Sequence, residues 1–198
     1  MSYKRMDLAQ MPQFFKGIER VCSSFCSSQA DIDKAFNAVV DSWRDKNAVT
    51  TCVLLGDTAR DILKFYDSLC EAVDNIVRVC NNRAEYVDYG SLTPPRIETF
   101  TINITEIEMD NAVINTDPDA LEEFQSALDK YIQSIVDNVG RLGKLYADIG
   151  GSWDDDQYVK FGDELSKFTN RMQSQVNVLD AISAFLKNKI EILRRGDI

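Results

Sequence analysis

The chain has 198 residues, 44 % of them hydrophobic and 27 % charged, which is the balance of a globular protein and not of a disordered one. Its formal net charge of −10 disfavours nucleic acid and anionic membrane surfaces as partners, because phosphate binding needs a concentrated basic surface. The sequence contains no histidine, which removes Ser-His-Asp and Cys-His catalysis and the usual zinc sites. We therefore expect no enzymatic activity, no cofactor and no bound metal.

The start of the chain carries no export signal of the Sec type. Residues 1–8 are charged and polar and lead into no apolar run of signal-peptide length. We expect a cytoplasmic protein that does not insert into a membrane and whose export, where it occurs, does not use a Sec signal. The five cysteines all lie in the first half of the chain, and we expect them to remain reduced.

The first half reads as a helical hairpin. From Phe14 to Trp43 the apolar residues recur mostly at steps of three and four, which predicts one long amphipathic helix. Its outer face should carry Asp31, Asp33 and Lys34. The pattern resumes at Val49 and continues to about Tyr86, after a short polar connection. Short connections between helices give antiparallel neighbours, so the two helices should form a hairpin.

Residues 89–116 break this pattern. Gly90 and two consecutive prolines, Pro94 and Pro95, end the second helix. Residues 97–105 then alternate apolar and polar types with many β-branched side chains, which predicts a strand or an extended crossover. We interpret the segment as a structured linker from one end of the molecule to the other.

A second helical hairpin follows the linker. Asp117 and Pro118 are a helix start, with aspartate as the N-cap and proline at the first helical position. The third helix should run to Gly150, and the fourth should begin near Asp154.

These elements predict an all-α fold, in which two long antiparallel hairpins form an elongated four-helix bundle with an extended crossover between them. The first hairpin takes residues 1–88, the linker 89–116 and the second hairpin 117–198.

The two inter-helix turns resemble each other. Both read Ser-Trp-x-Asp-x-(Asn/Gln)-x-Val, and they contain the only two tryptophans of the chain. A duplicated hairpin explains the match, and the alternative is two unrelated turns that share Ser-Trp and a capping aspartate. The shared residues are Ser42, Trp43 and Asp45 in the first turn and Ser152, Trp153 and Asp155 in the second.

The second turn, Gly-Gly-Ser-Trp-Asp-Asp over residues 150–155, is followed by the aromatics Tyr158 and Phe161. This pattern resembles the WXG-type, Esx-like proteins of bacterial type VII secretion, helical hairpins that pair antiparallel into a four-helix bundle. The resemblance implies that one chain has fused two such hairpins. It also implies an adaptor, a targeting factor or a secreted partner that binds a helical protein. Aspartate stands where the family has glycine in both turns, and no tyrosine follows Tyr158 to form the family's Tyr-x-x-x-(Asp/Glu) export tail.

The six turn residues are the predicted partner-binding motif. Each indole would sit at an end of the bundle and help to form a groove for a helix of the partner, as aromatic anchors do at interfaces. The alternative is that each tryptophan closes the end of its own bundle.

Two clusters could suggest a metal. Residues 154–156 are three aspartates without the spacing of an EF-hand, so a helix cap is the favoured interpretation. Cys22 and Cys26 share a helix face, and the hairpin places Cys70 roughly opposite Cys22. A disulfide or a thiolate site is conceivable there, but buried reduced thiols are favoured. An enzyme would need a metal at one of these clusters.

A structural function is the alternative to an interaction protein. Residues 97–108 could pair edge to edge with another copy and make a self-associating bundle. The oligomeric state is open between a monomer, in which the pairing of hairpins is internal, and a homo-oligomer.

Overall fold

A computed structural model describes residues 5–107 and 115–196. Within them the chain forms four long helices and four two-residue strands, which confirms the all-α prediction. The helices are α1 (Met11–Val39), α2 (Lys46–Tyr86), α3 (Pro118–Gly150) and α4 (Asp156–Arg195). The strands are β1 (Arg5–Met6), β2 (Trp43–Arg44), β3 (Asn115–Thr116) and β4 (Trp153–Asp154).

Capping side chains set the ends of the helices. Asp117 caps α3 ahead of Pro118, as predicted. Helix α1 ends at Val39 and not at Trp43, because the chain turns at Ser42, whose backbone N–H and hydroxyl both donate to the Val39 carbonyl. The first predicted helix was therefore four residues too long, and Trp43 lies in the turn.

The helices pack as a bundle in which α1 lies against α3, α3 against α4, and α2 against α4. The predicted apolar stripes form its core, where rings of α1 and α4 meet edge to face. These pairs are Phe14 with Phe161 and Phe25 with Phe168. At 1.5 Å per residue, the 41 residues of α2 extend over about 60 Å, so the bundle is elongated.

Each turn between helices pairs with the strand that precedes the other hairpin. Strand β4 pairs antiparallel with β1, with Trp153 opposite Met6, and β2 pairs antiparallel with β3, with Trp43 opposite Thr116. The residue after each pairing strand adds one more bond, since Asp7 N–H donates to the Ser152 carbonyl and Asp117 N–H to the Ser42 carbonyl. The two halves are thus joined by the same backbone pairing at both turns.

The crossover is extended and lies between α1 and α2. Asn37 of α1 donates to the Asn103 carbonyl at 2.7 Å and accepts from Thr105 N–H at 2.9 Å. On the α2 side, Tyr66 donates to the Glu98 carbonyl at 2.7 Å. No strand forms between residues 87 and 107, and the remainder of the predicted linker up to residue 114 lies outside the described residues.

The crossover also corrects the prediction for Asp33. This side chain is buried and not on the outer face of α1, because its carboxylate accepts from Asn103 N–H at 2.6 Å and from the Gln29 amide at 2.6 Å. Burial raises the pKa of Asp33, although both hydrogen bonds oppose that shift.

None of the helices in the described part of the chain is both long and apolar enough to span a membrane. The division of the chain at residues 88 and 116 into separate units stays a prediction.

Candidate interface at the two tryptophan turns

The first turn is built around a buried indole. Trp43 has 0 % of its surface exposed, and its ring N–H donates to the Asp45 carboxylate at 3.1 Å. The same carboxylate caps α2, because it accepts from the backbone N–H groups of Asn47 at 2.8 Å and Ala48 at 2.9 Å. One side chain therefore fixes both the indole and the start of the helix.

Asp45 also joins the two hairpins. Its second oxygen lies 2.6 Å from the Lys189 ammonium near the end of α4, and both side chains are 16 % exposed. Burial alone would raise the pKa of Asp45, but Lys189 and the two capping N–H groups hold it below the ordinary value. The carboxylate is thus charged at neutral pH and attracts a cation of the other half.

The second turn repeats the helix cap and the ion pair, but the buried ring N–H of Trp153 has no hydrogen-bond partner among the described residues. Trp153 is also 0 % exposed, and the Asp155 carboxylate accepts from Gln157 N–H at 2.7 Å and Tyr158 N–H at 3.0 Å. The other carboxylate oxygen forms an ion pair with Arg83 near the end of α2, where the Asp155 side chain is only 1 % exposed. Burial would raise the pKa of Asp155, but the Trp153 indole, the capping N–H groups and Arg83 together hold that pKa below its ordinary value.

The aspartate at the family's glycine position therefore has a structural reason. Asp45 has φ −141° and Asp155 has φ −159°, an extended backbone that does not require glycine. Each carboxylate caps a helix and pairs with a cation at the far end of the other hairpin's second helix. The replacement suits a chain in which both hairpins belong to one polypeptide.

The six predicted residues form two groups of three, and the two groups lie at opposite ends of the bundle. Helices α1 and α3 run antiparallel, since Phe36 packs on Phe124 and Ser24 bonds to Asn138 farther along. The turn after α1 therefore lies by the start of α3, and the turn after α3 lies by the start of α1. Both indoles are fully buried, and binding of a partner at these turns stays a prediction.

The two clusters that could suggest a metal have other roles. Asp155 is the cap of α4 and Asp156 lies in its first turn. Over residues 5–107 and 115–196, no group of three or more cysteine or acidic side chains is placed to hold a metal ion.

The cysteines Cys22, Cys26 and Cys70 are unbridged thiols. Burial raises the pKa of Cys26, whose thiol faces Tyr66 at 3.5 Å and the Glu98 carbonyl at 3.7 Å. The pKa of Cys70 is also raised, by the adjoining Cys22 thiol and by burial. The pKa of Cys22 is lowered, chiefly by its hydrogen bond with Cys70, and burial opposes that shift. The three thiols are unbridged and lie against Tyr66 and the crossover, so this cluster fits a role in packing.

Residues 113–194 match the family model described as proteins of 100 residues with WXG. The matched segment contains β3, α3, the Trp153 turn and nearly all of α4. The second half of the chain is therefore similar to a WXG-type hairpin. Comparison with curated proteins and with solved structures gave no significant match.

The family match does not reach the first half, but β1, α1, the Trp43 turn and α2 follow in the same order. The four helices therefore fit a tandem of two WXG-type hairpins.

Sequence reasoning did not predict the contacts that join the two hairpins. Strands β1 and β3 are two residues long, and Lys189 and Arg83 are ordinary helix cations until the fold brings them to the turns. One signal was available, because Met6-Asp7 and Thr116-Asp117 stand at the same distance before their respective Ser-Trp motifs. Each pair ends in an aspartate that caps a helical element: Asp7 caps the short 3-10 helix Leu8–Gln10, and Asp117 caps α3.

Proposed function

We propose that the protein is a non-enzymatic interaction protein of a type VII-like secretion pathway, acting as an adaptor, a targeting factor or a secreted partner. The observation that carries the proposal is the WXG-family match of residues 113–194. Because the pairing of hairpins is satisfied within the chain, the outer faces of the helices are left for another helical protein. We place the protein in the cytoplasm, with any export independent of a Sec signal.

The outer face of α4 offers a suitable surface. Phe185 is 38 % exposed and Ile192 is 41 % exposed, and they lie seven residues apart on one face of the helix. The exposed Ala181 and the half-buried Val178 continue the stripe towards the start of α4. Apolar residues at steps of three, four and seven suit a partner helix that lies along this face.

The α4 stripe is tested by capture of partners from the source cells with tagged protein, read by mass spectrometry. We expect a helical protein to be captured, and Phe185→Ser combined with Ile192→Ser to lower its binding by roughly thirtyfold, since a buried aromatic anchor is worth about 2 kcal/mol. Both residues are exposed, so circular dichroism should be unchanged.

The matched control is Val136→Ser with Val159→Ser, which removes apolar side chains that are 45 % and 58 % exposed elsewhere. The control should capture the partner as the wild type does. Equal capture by the α4 variant would contradict the assignment of this face, and the absence of any helical partner would contradict the adaptor function itself.

The structural alternative has less support. The crossover is flanked by α1 and α2, and Asp33 and Asn37 occupy both backbone groups of Asn103. In a second copy the same segment is also flanked by two helices, which disfavours edge-to-edge pairing of two crossovers.

A further inference from the structure

A groove of about 570 Å³ runs between α2 and the crossover. Val49 and Val53 of α2 form one wall, and Ile102 and Ile104 of the crossover form the other. Val53 is 54 % exposed, so the groove opens to solvent beside an apolar side chain. Gly56 leaves further space in the wall of α2, because a Cβ added there would meet only the Arg60 guanidinium, at 3.5 Å.

The crossover presents free backbone groups as well as apolar side chains. Asn103 N–H and C=O both bond to α1. In an extended chain the groups of successive residues point to opposite edges, so those of Ile102 and Ile104 point away from α1. Among the described residues these two N–H and two C=O groups have no hydrogen-bond partner.

We propose that this groove binds an extended peptide segment of a partner protein, which adds as a strand to Ile102 and Ile104 and places an apolar side chain against Val53. Only an extended backbone offers the alternating donors and acceptors that this edge lacks, since a helix uses its own groups internally. The crossover of a second copy is itself flanked by α1 and α2, so a segment with free backbone groups on both edges is the better fit. The site is separate from the α4 stripe and does not depend on it.

The crossover itself supplies a probe for this site. Residues 101–105 read Thr-Ile-Asn-Ile-Thr in both directions. A peptide of this sequence, paired antiparallel with the crossover about Asn103, places isoleucine opposite isoleucine on the free edge. The match makes it a suitable ligand for the full chain.

Binding of the fluorescein-labelled peptide Thr-Ile-Asn-Ile-Thr to the full chain, followed by fluorescence anisotropy, tests the proposal. We expect saturable binding that Gly56→Leu weakens at least tenfold, because the added side chain fills the groove. Gly140→Leu is the matched control, since a Cβ at that helical glycine meets nothing within 4 Å. Val53→Asp, at an exposed position, should weaken binding without disturbing the fold.

A second probe separates strand pairing from unspecific apolar contact. The same peptide with both isoleucine nitrogens methylated keeps its side chains but cannot donate hydrogen bonds from the paired positions, and we expect its binding to be lost. Equal binding of the methylated peptide, full affinity of the Gly56→Leu variant, or no saturable binding to the wild type would each overturn the proposal.

Discussion

Replacing Trp153 with alanine is expected to lower the free energy of unfolding by about 3–5 kcal/mol, because it removes a large ring from a site with no solvent exposure. The indole lies 5.8 Å from the Tyr158 ring, and its residue pairs with Met6 of the other half. The loss should therefore affect the contact between hairpins as well as the turn. Guanidinium denaturation followed by circular dichroism measures it.

Tyr86→Ala is the control, because Tyr86 is 91 % exposed and should change the free energy of unfolding by no more than about 0.5 kcal/mol. A loss below about 1 kcal/mol for Trp153→Ala would mean that the indole is not part of the core. Since Trp43 is equally buried, a variant that lacks both indoles cannot serve to map partner binding.

The ion pair between Arg83 and Asp155 should show an asymmetric response to mutation. Arg83→Met leaves a carboxylate that is 1 % exposed without its cation, and we expect a loss of about 3 kcal/mol. Asp155→Asn leaves Arg83, which is 34 % exposed and can be hydrated, and asparagine still caps α4, so we expect a loss of about 1 kcal/mol. The double variant should be close to Asp155→Asn alone, and denaturation of all four proteins gives the coupling energy.

Acid provides the second measurement on this pair. Since the folded-state pKa of Asp155 is lowered, its contribution to stability is present above the unfolded pKa of about 4 and is lost as the pH falls through the folded value. The difference in the free energy of unfolding between the wild type and Asp155→Asn should therefore shrink below about pH 4. Asp33, whose pKa is raised, acts in the opposite sense but is common to both proteins.

The control for the pair is Arg78→Met, because the Arg78 guanidinium donates its hydrogen bond to the exposed Asn75 of its own helix, at 2.7 Å. Two results would contradict the role given to Asp155. One is an equal loss of unfolding free energy for Arg78→Met and Arg83→Met, and the other is a stability difference between the wild type and Asp155→Asn that does not change with pH.

The helices could be predicted from the sequence because their signals are local. The apolar stripe that includes Phe14 and Phe25, and the cap formed by Asp117 with Pro118, need no knowledge of the rest of the chain. The end of α1 was misplaced because it depends on a contact that is distant in the sequence. Trp43 continues the apolar spacing, but it lies in a turn whose strand β2 pairs with β3, far along the sequence.

The long-range contacts could not be predicted in this way. Asp33 has the sequence context of a solvated helix residue, and only the arrival of Asn103 on the crossover gives its carboxylate a backbone partner. Asp45 and Asp155 were identified as departures from a motif, and their pairing with cations follows from the antiparallel docking of the hairpins. The alternation in residues 97–105 indicated an extended chain but not the helices between which it lies.

The central claim is that the two hairpins of one chain dock on each other through their tryptophan turns. Zero-length carbodiimide cross-linking tests it, because the Lys189 amine and the Asp45 carboxylate lie 2.6 Å apart. An equal mixture of ordinary and nitrogen-15-labelled protein, cross-linked and analysed by mass spectrometry, shows whether the linked residues come from one molecule.

The Lys187–Asp129 pair, 3.0 Å apart within the second hairpin, is the positive control for the reaction. We predict a Lys189–Asp45 link whose two peptides always carry the same isotope label. A link of mixed labels, or its absence while Lys187 and Asp129 are linked, would contradict the internal pairing of the hairpins.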